Sequence, residues 1–324
     1  MGVLGGRSPP STPILSSIRA IAIETLLSLI ICPMRLFRRF LPLLVVFLFT
    51  ACGSSNAGTS QSKTLYIQDK GSDTIVNLAL AWAEKYQAEH PDVSISVTGG
   101  GSGTGIAALL NKTTDIANAS RQMQAVEIQQ AKANGFDPIE FVIARDAIAV
   151  AVNPANPVSQ LTFQQISDIY SGKIDNWSQV GGQDRPIVRL SREVNSGTHV
   201  YFRDTVIRLG DAKNKTFFAA DTLLLPSSEG IVSELRQNPN AIGYDGLGYI
   251  PADLKKVAVA RDASGPYVLP SVASVNDKSY PIARDLYMYT AGPPTGAVKV
   301  YLDWIVSSEA QAIVENLGFV PIKK

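Results

Sequence analysis

Three stretches of this sequence pair glycine with hydroxyl side chains just ahead of segments with helical periodicity. They are Gly71-Ser72-Asp73-Thr74, the run from Gly99 to Gly105 (Gly-Gly-Gly-Ser-Gly-Thr-Gly), and Arg192-Glu193-Val194-Asn195-Ser196-Gly197-Thr198. The chemistry they suit is the holding of an oxyanion. A helix N-terminus presents unpaired backbone N–H groups and about half a positive charge. Glycine lets the backbone come close to an anion, and serine or threonine hydroxyls add donors. Arg192 offers a rigid two-pronged contact to an oxyanion. Taken singly, each turn also fits an ordinary helix cap, with Ser72, Ser102 and Ser196 as N-cap residues.

Other chemistries fail at particular residues. A Walker A loop needs Gly-Lys-Ser/Thr, and the next lysine after Gly105 is Lys112. The dinucleotide fingerprint needs glycine where Ile106 stands, and a nucleophile elbow around Ser102 needs glycine where Thr104 stands. Ser196 and His199 lie close in sequence, but no motif makes them part of a triad. The histidines, His90 and His199, and the cysteines, Cys32 and Cys52, are too few for a zinc cluster or a disulfide framework. These absences argue against an enzyme, and no cofactor is expected.

The elements that must position these turns alternate. Thr64–Gln68, Val93–Thr98, Ile116–Ala119, Pro138–Asn153, Pro186–Leu190, Ala241–Tyr244 and Tyr280–Thr290 read as strands. Ile75, Leu78, Ala79, Trp82 and Tyr86 recur at helical spacing up to His90-Pro91. Further helices are expected from Ile106 to Leu110, over Phe163–Tyr170, from about Ser196, over Ala297–Ser307 and over Glu309–Leu317. Such alternation predicts α/β sheets, and 324 residues leave room for two lobes. The break Asn153-Pro154-Ala155-Asn156-Pro157 is a candidate crossing between lobes, with a weaker return near 262–275. The expected division is lobe I over 63–150 plus about 270–324, and lobe II over 151–269.

The N-terminal part reads as a processing segment. Residues 34–52, MRLFRRFLPLLVVFLFTAC, place three arginines before an apolar run and small residues before a cysteine, the layout of a secretory signal. Thr50-Ala51-Cys52 resembles a bacterial lipobox, in which Cys52 is lipidated and becomes the first mature residue. The polar stretch 53–62 has the composition of a flexible tether. A complete signal starting at Met34 leaves residues 1–33 unexplained, so translation from Met34 is expected. The leader holds five arginines and one glutamate, and without it the chain is slightly acidic. That balance excludes the basic footprint of a nucleic-acid binder. Any anion must therefore be held by a local arrangement.

With these motifs in order, the sequence resembles the PstS-like branch of the periplasmic binding proteins, the phosphate-binding lipoproteins of bacterial phosphate ABC transporters. The similarity runs from about Lys63 to Pro321. It is carried by the three turns and by Asp115-Ile116-Ala117-Asn118-Ala119-Ser120-Arg121. Ile169-Tyr170-Ser171-Gly172-Lys173-Ile174-Asp175-Asn176-Trp177 and Ala241-Ile242-Gly243-Tyr244 also match. The resemblance implies a two-lobe periplasmic-binding-protein fold of type II, with the ligand cleft between the lobes. By matching position, Thr74, Ser102, Arg192, Ser196, Gly197 and Thr198 should bind inorganic phosphate, with Ser72 and Asp73 as companions. Known members carry an aspartate after the Ala-Ser pair, where it accepts the proton of hydrogen phosphate. Arg121 stands there and is a further candidate contact. Asp73 is then the expected acceptor, with plain helix capping as its alternative. The implied role is solute capture by a monomer, tethered to the membrane outside the cytoplasm, that delivers phosphate to permease subunits. The alternatives are another tetrahedral oxyanion such as sulfate, and a sensor or surface lipoprotein working without a transporter.

Overall fold

The computed structural model describes residues 64–322. The leader, Cys52 and the 53–62 tether lie outside the described residues.

The first half of the fold is built around β1 (Leu65–Gly71), with β2 (Val93–Thr98) and β3 (Ile116–Ala119) running parallel on either side of it. Between these strands lie α1 (Asp73–Glu89) and α2 (Ser102–Leu110), and α3 (Ala125–Ala133) leads into the long strand β4 (Ile139–Val152). On α1 the residues Ile75, Leu78, Ala79, Trp82 and Tyr86 are buried, as their spacing requires. Next come β5 (Gln160–Thr162), α4 (Phe163–Tyr170), β6 (Val188–Arg192) and α5 (Gly197–Phe202), which runs on into a π-helical turn over Arg203–Ile207. The chain continues through β7 (Leu223–Leu225), α6 (Ser228–Gln237), β8 (Ala241–Gly246), β9 (Lys255–Lys256), β10 (Ala258–Ala260) and α7 (Val272–Asn276). It closes with β11 (Ala283–Thr290), α8 (Gly296–Ile305) and α9 (Ser308–Asn316).

The main sheet has the order β2-β1-β3-β11-β4-β8-β6-β7, with β9 also on β4. The same pattern occurs twice. The parallel trio β2-β1-β3 is flanked by antiparallel β11, and the parallel trio β7-β6-β8 by antiparallel β4. Each half packs helices on both faces. In the first, α1 joins Tyr301 and Val314 on one side of the sheet, while α2 joins Ala117 and Tyr289 on the other. In the second, Ile166, Tyr170 and Phe202 pack on one side, and Ile231 and Leu235 on the other. Neighbouring strands whose connections leave to opposite faces open a crevice at their C-terminal ends, where open α/β sheets bind ligands. The turns after β1 and β6 stand at such ends.

The crossing between halves corrects the expectation from sequence. Residues Ile139–Ala147 of β4 pair with β11, and Ile148–Val152 pair with β8, so the passage lies inside a continuous strand. The 153–157 break only ends that strand, where the Asn153 amide donates to the carbonyls of Leu235 and Arg236. On the return, Val275, Tyr280 and Ile282 pack into the core of the second half, so residues 270–282 side with it and not with the first. Three helices are not marked in the sequence. α3 buries only Ala131 and shows no apolar stripe, the short α6 buries Ile231, Val232 and Leu235 within three turns, and α7 is only five residues long.

Candidate functional site

The first turns of α1, α2 and α5 meet at the middle of the molecule. The Thr74 hydroxyl, in the first turn of α1, lies 2.8 Å from the Thr198 hydroxyl in the first turn of α5. Ser102 opens α2, and its Oγ accepts the Ser120 N–H at 3.0 Å and lies 3.3 Å from Ser120 Oγ. A Cβ added at Gly197 would fall 2.3 Å from Ser102 Oγ and 2.6 Å from Ser120 Oγ, so only glycine lets α5 approach so closely. The glycine run before α2 is stitched to the third turn. Gly103 N–H donates to Asn195 O at 2.9 Å, and the Asn195 amide donates to Gly100 O at 2.8 Å. Gly101 has φ +91° and a Cβ position 2.9 Å from Asn195 O, which excludes a side chain on both counts. Helix α2 starts four residues earlier than the sequence suggests, and this makes the glycine-rich segment its N-terminus.

The expected residues fall into separate groups. Thr74, Ser102, Gly197 and Thr198 converge. Ser72 precedes α1 and is buried, but its hydroxyl makes no capping bond, and its N–H is tied to Asn118 O. Ser196 does cap: its Oγ accepts the His199 N–H. Asp73 is neither a simple cap nor a free acceptor. One carboxylate oxygen accepts Gly100 N–H at 2.7 Å, and the other meets Arg192 at 2.6 Å.

Arg192 is not the open fork that the sequence suggests. It is buried, and its nitrogens donate to Asp73, to Ser228 Oγ and to the carbonyls of Leu225 and Pro226, with Asp245 at 3.6 Å. Arg121 is likewise committed, to a two-pronged pair with Glu127 at 2.7 and 2.8 Å that fixes the start of α3.

Sequence reasoning missed three residues of this centre. Ser120 directly follows β3, in the Asp115–Arg121 motif. Arg284 and Asp146 sit opposite each other on β11 and β4, in strand runs that carry no local signal. The Arg284 guanidinium donates to Ser120 O at 2.7 Å, to Thr198 Oγ1 at 2.8 Å and to Asp146 Oδ2 at 3.1 Å.

Burial pushes Asp146 up to about 6, against the pull of Arg284, and raises Asp245, against the pull of Arg192. Burial holds His199 down at about 4, so it is neutral at pH 7 with its Nδ1 at 2.9 Å from Arg192 O. Two arginines face three aspartates here, which leaves no cationic excess in the side chains. An anion must therefore be held by N–H groups, hydroxyls and helix dipoles, aided by whichever arginine reaches it.

A family model for the PBP superfamily domain matches residues 56–309. The chain belongs to this superfamily. Within it the chain is PstS-like and shares its two-lobe α/β fold. It is 30% identical over 269 residues to the phosphate-binding protein PstS of Pseudomonas aeruginosa, a match covering 78% of this chain and 81% of that protein. It is also 30% identical over 292 residues to the phosphate-binding protein PstS of Bacillus subtilis, covering 86% and 92%. A Clostridium perfringens structure, assigned as a phosphate ABC transporter substrate-binding protein with phosphate bound, superposes with a TM-score of 0.70 at 32% identity. That match covers 80% of this chain and all of that one. An ABC-type phosphate transport receptor from Vibrio cholerae gives 0.64 at 27% identity.

Proposed function

We propose that this protein captures inorganic phosphate outside the cytoplasm and hands it to an ABC importer. The observation that carries this reading is the meeting of Thr74, Ser102, Gly197 and Thr198, at three helix N-termini drawn from both halves of the fold, with Ser120 beside them. Such an arrangement offers a tetrahedral oxyanion several donors at once, and it exists only while the halves are closed. The lobes are divided at about 147/148 and 282/283, where β4 changes partner and β11 begins. Binding without turnover fits the site: His199 is buried and neutral, and Ser196 Oγ is spent on a cap. The anchor is lipidated Cys52, and the working unit is a monomer that presents its closed form to permease subunits.

Isothermal titration with phosphate, sulfate and arsenate tests the ligand. Tight phosphate binding with sulfate far weaker is expected, and equal affinities would make the protein a general oxyanion binder. Cys52→Ser should abolish lipid labelling and signal processing in cells. A processed, lipid-labelled variant would move the anchor elsewhere.

A further inference from the structure

The two buried arginines near the site are differently employed. Arg192 donates from its three nitrogens to Asp73, Ser228, Leu225 and Pro226, and none of these is among the five converging residues. Arg284 reaches that group directly. One of its terminal nitrogens lies 2.8 Å from Thr198 Oγ1 and 3.5 Å from Thr74 Oγ1, and the other donates to Ser120 O. Its Nε is buried without a hydrogen-bond partner. A buried guanidinium whose partners include hydroxyls, and whose third nitrogen is unsatisfied, gains by meeting an anion. The hydroxyls can rotate to donate while the cation supplies charge.

The location adds a second argument. Arg284 and Asp146 are register partners at the two crossings between the halves, next to the start of β11 and one residue away from the change of pairing at Ala147 and Ile148. From this position Arg284 bonds the first half through Ser120 O and the second through Thr198 Oγ1. Asp146 is fully buried and holds the guanidinium from behind at 3.1 Å, while its other oxygen accepts Leu247 N–H at 3.2 Å.

We propose that Arg284 is the charged donor that contacts the bound oxyanion directly, that Asp146 is the residue that positions it, and that Arg192 acts at one remove by holding Asp73. This rests on the phosphate reading above. Bound from the crossing strands, the anion would tie both halves to one side chain, so that affinity and closure are linked.

The test is titration of inorganic phosphate into the full mature protein and its variants, with circular dichroism and thermal melts to follow the fold. Arg284→Gln should lower affinity at least a hundredfold, and Arg284→Lys, which keeps charge but loses the fork, roughly tenfold. Should Arg284→Gln fold poorly because Asp146 is left unpaired, the double variant Asp146→Asn/Arg284→Gln removes both charges and should show the same loss. Arg192→Ala should weaken binding in the parent but add little in an Asp73→Asn background. In protein labelled with 15N-arginine, the guanidinium signal that disappears in Arg284→Lys should move on addition of phosphate. Folded Arg284→Gln or double variants that bind within threefold of the parent, with an unmoved Arg284 signal, would overturn the assignment while leaving the phosphate reading intact. A parent that binds no phosphate would sink both.

Discussion

The Asp73 carboxylate on α1 meets the Arg192 guanidinium at the end of β6 at 2.6 Å, and the two residues belong to opposite halves of the fold. With Gly100 N–H on the other carboxylate oxygen, Asp73 works as a clasp across the cleft. A clasp of this kind stabilises the closed form for any ligand that fills it. Asp73→Asn should therefore cost about 2 kcal/mol of binding, the scale for a charged hydrogen bond. It should weaken phosphate and sulfate by the same factor. Competition titration of both anions checks this. A narrowed phosphate-to-sulfate ratio would instead mean that Asp73 accepts the phosphate proton.

Gly197 is the glycine packed against the hydroxyls of the converging group. Its Cβ position is 2.3 Å from Ser102 Oγ and 2.6 Å from Ser120 Oγ. Gly197→Ala must displace the Ser102 and Ser120 hydroxyls or push the third turn away from the second, at a cost of about 1–3 kcal/mol for forced overpacking. That strain falls on the closed state. Phosphate affinity should drop tens-fold or more, while the melting temperature of the unliganded protein changes little.

Two serines that look alike in the sequence should behave differently. Ser102 Oγ lies inside the convergence with Ser120, whereas Ser196 Oγ accepts His199 N–H as an N-cap. Ser102→Ala should cost about 1–3 kcal/mol of phosphate binding. Ser196→Ala should cost about 1 kcal/mol of stability, with a smaller effect on affinity. Parallel titrations and denaturant curves separate the two roles, and equal binding losses would place both hydroxyls on the ligand.

Much of this was legible in the residues. Val93–Thr98 alternates and forms a strand, and Ile116–Ala119 and Phe163–Tyr170 also form the elements expected of them. The three glycine-hydroxyl turns point to the convergence because helix N-termini need those residues locally. Arg284 and Asp146 could not be read this way, because each is a polar residue in an apolar strand and acquires meaning only from its cross-strand partner. The hydrogen bonds of Arg192 and Asp73 could not be read from the sequence for a related reason. A motif names which side chains are near an anion, but their hydrogen bonds are decided by neighbours such as Pro226, Ser228 and Gly100 from distant parts of the chain.

A last prediction concerns a buried acid that the anion site does not use. Asp69 on β1 is buried, and neither of its carboxylate oxygens has a hydrogen-bond partner of good geometry. Burial pushes it up to about 7, and the neighbouring Asn118 amide offsets this only in part. In the unfolded chain the same group releases its proton near the usual aspartate value, about 4. Between these values the folded state holds a proton that the unfolded state has lost, so stability falls as pH rises through this window, and the loss is complete above about 7. Asp69→Asn removes the titration and keeps the shape, and its amide can donate to the unpartnered Oδ1 of Asn118. At pH 5 the variant and the parent should unfold at similar urea concentrations. At pH 8 the variant should be more stable by on the order of 2–4 kcal/mol. Other buried acids, including Asp146 and Asp245, titrate in both proteins, so the difference between the two curves isolates Asp69. A difference that is the same at pH 5 and pH 8 would show that Asp69 is already ionised in the fold.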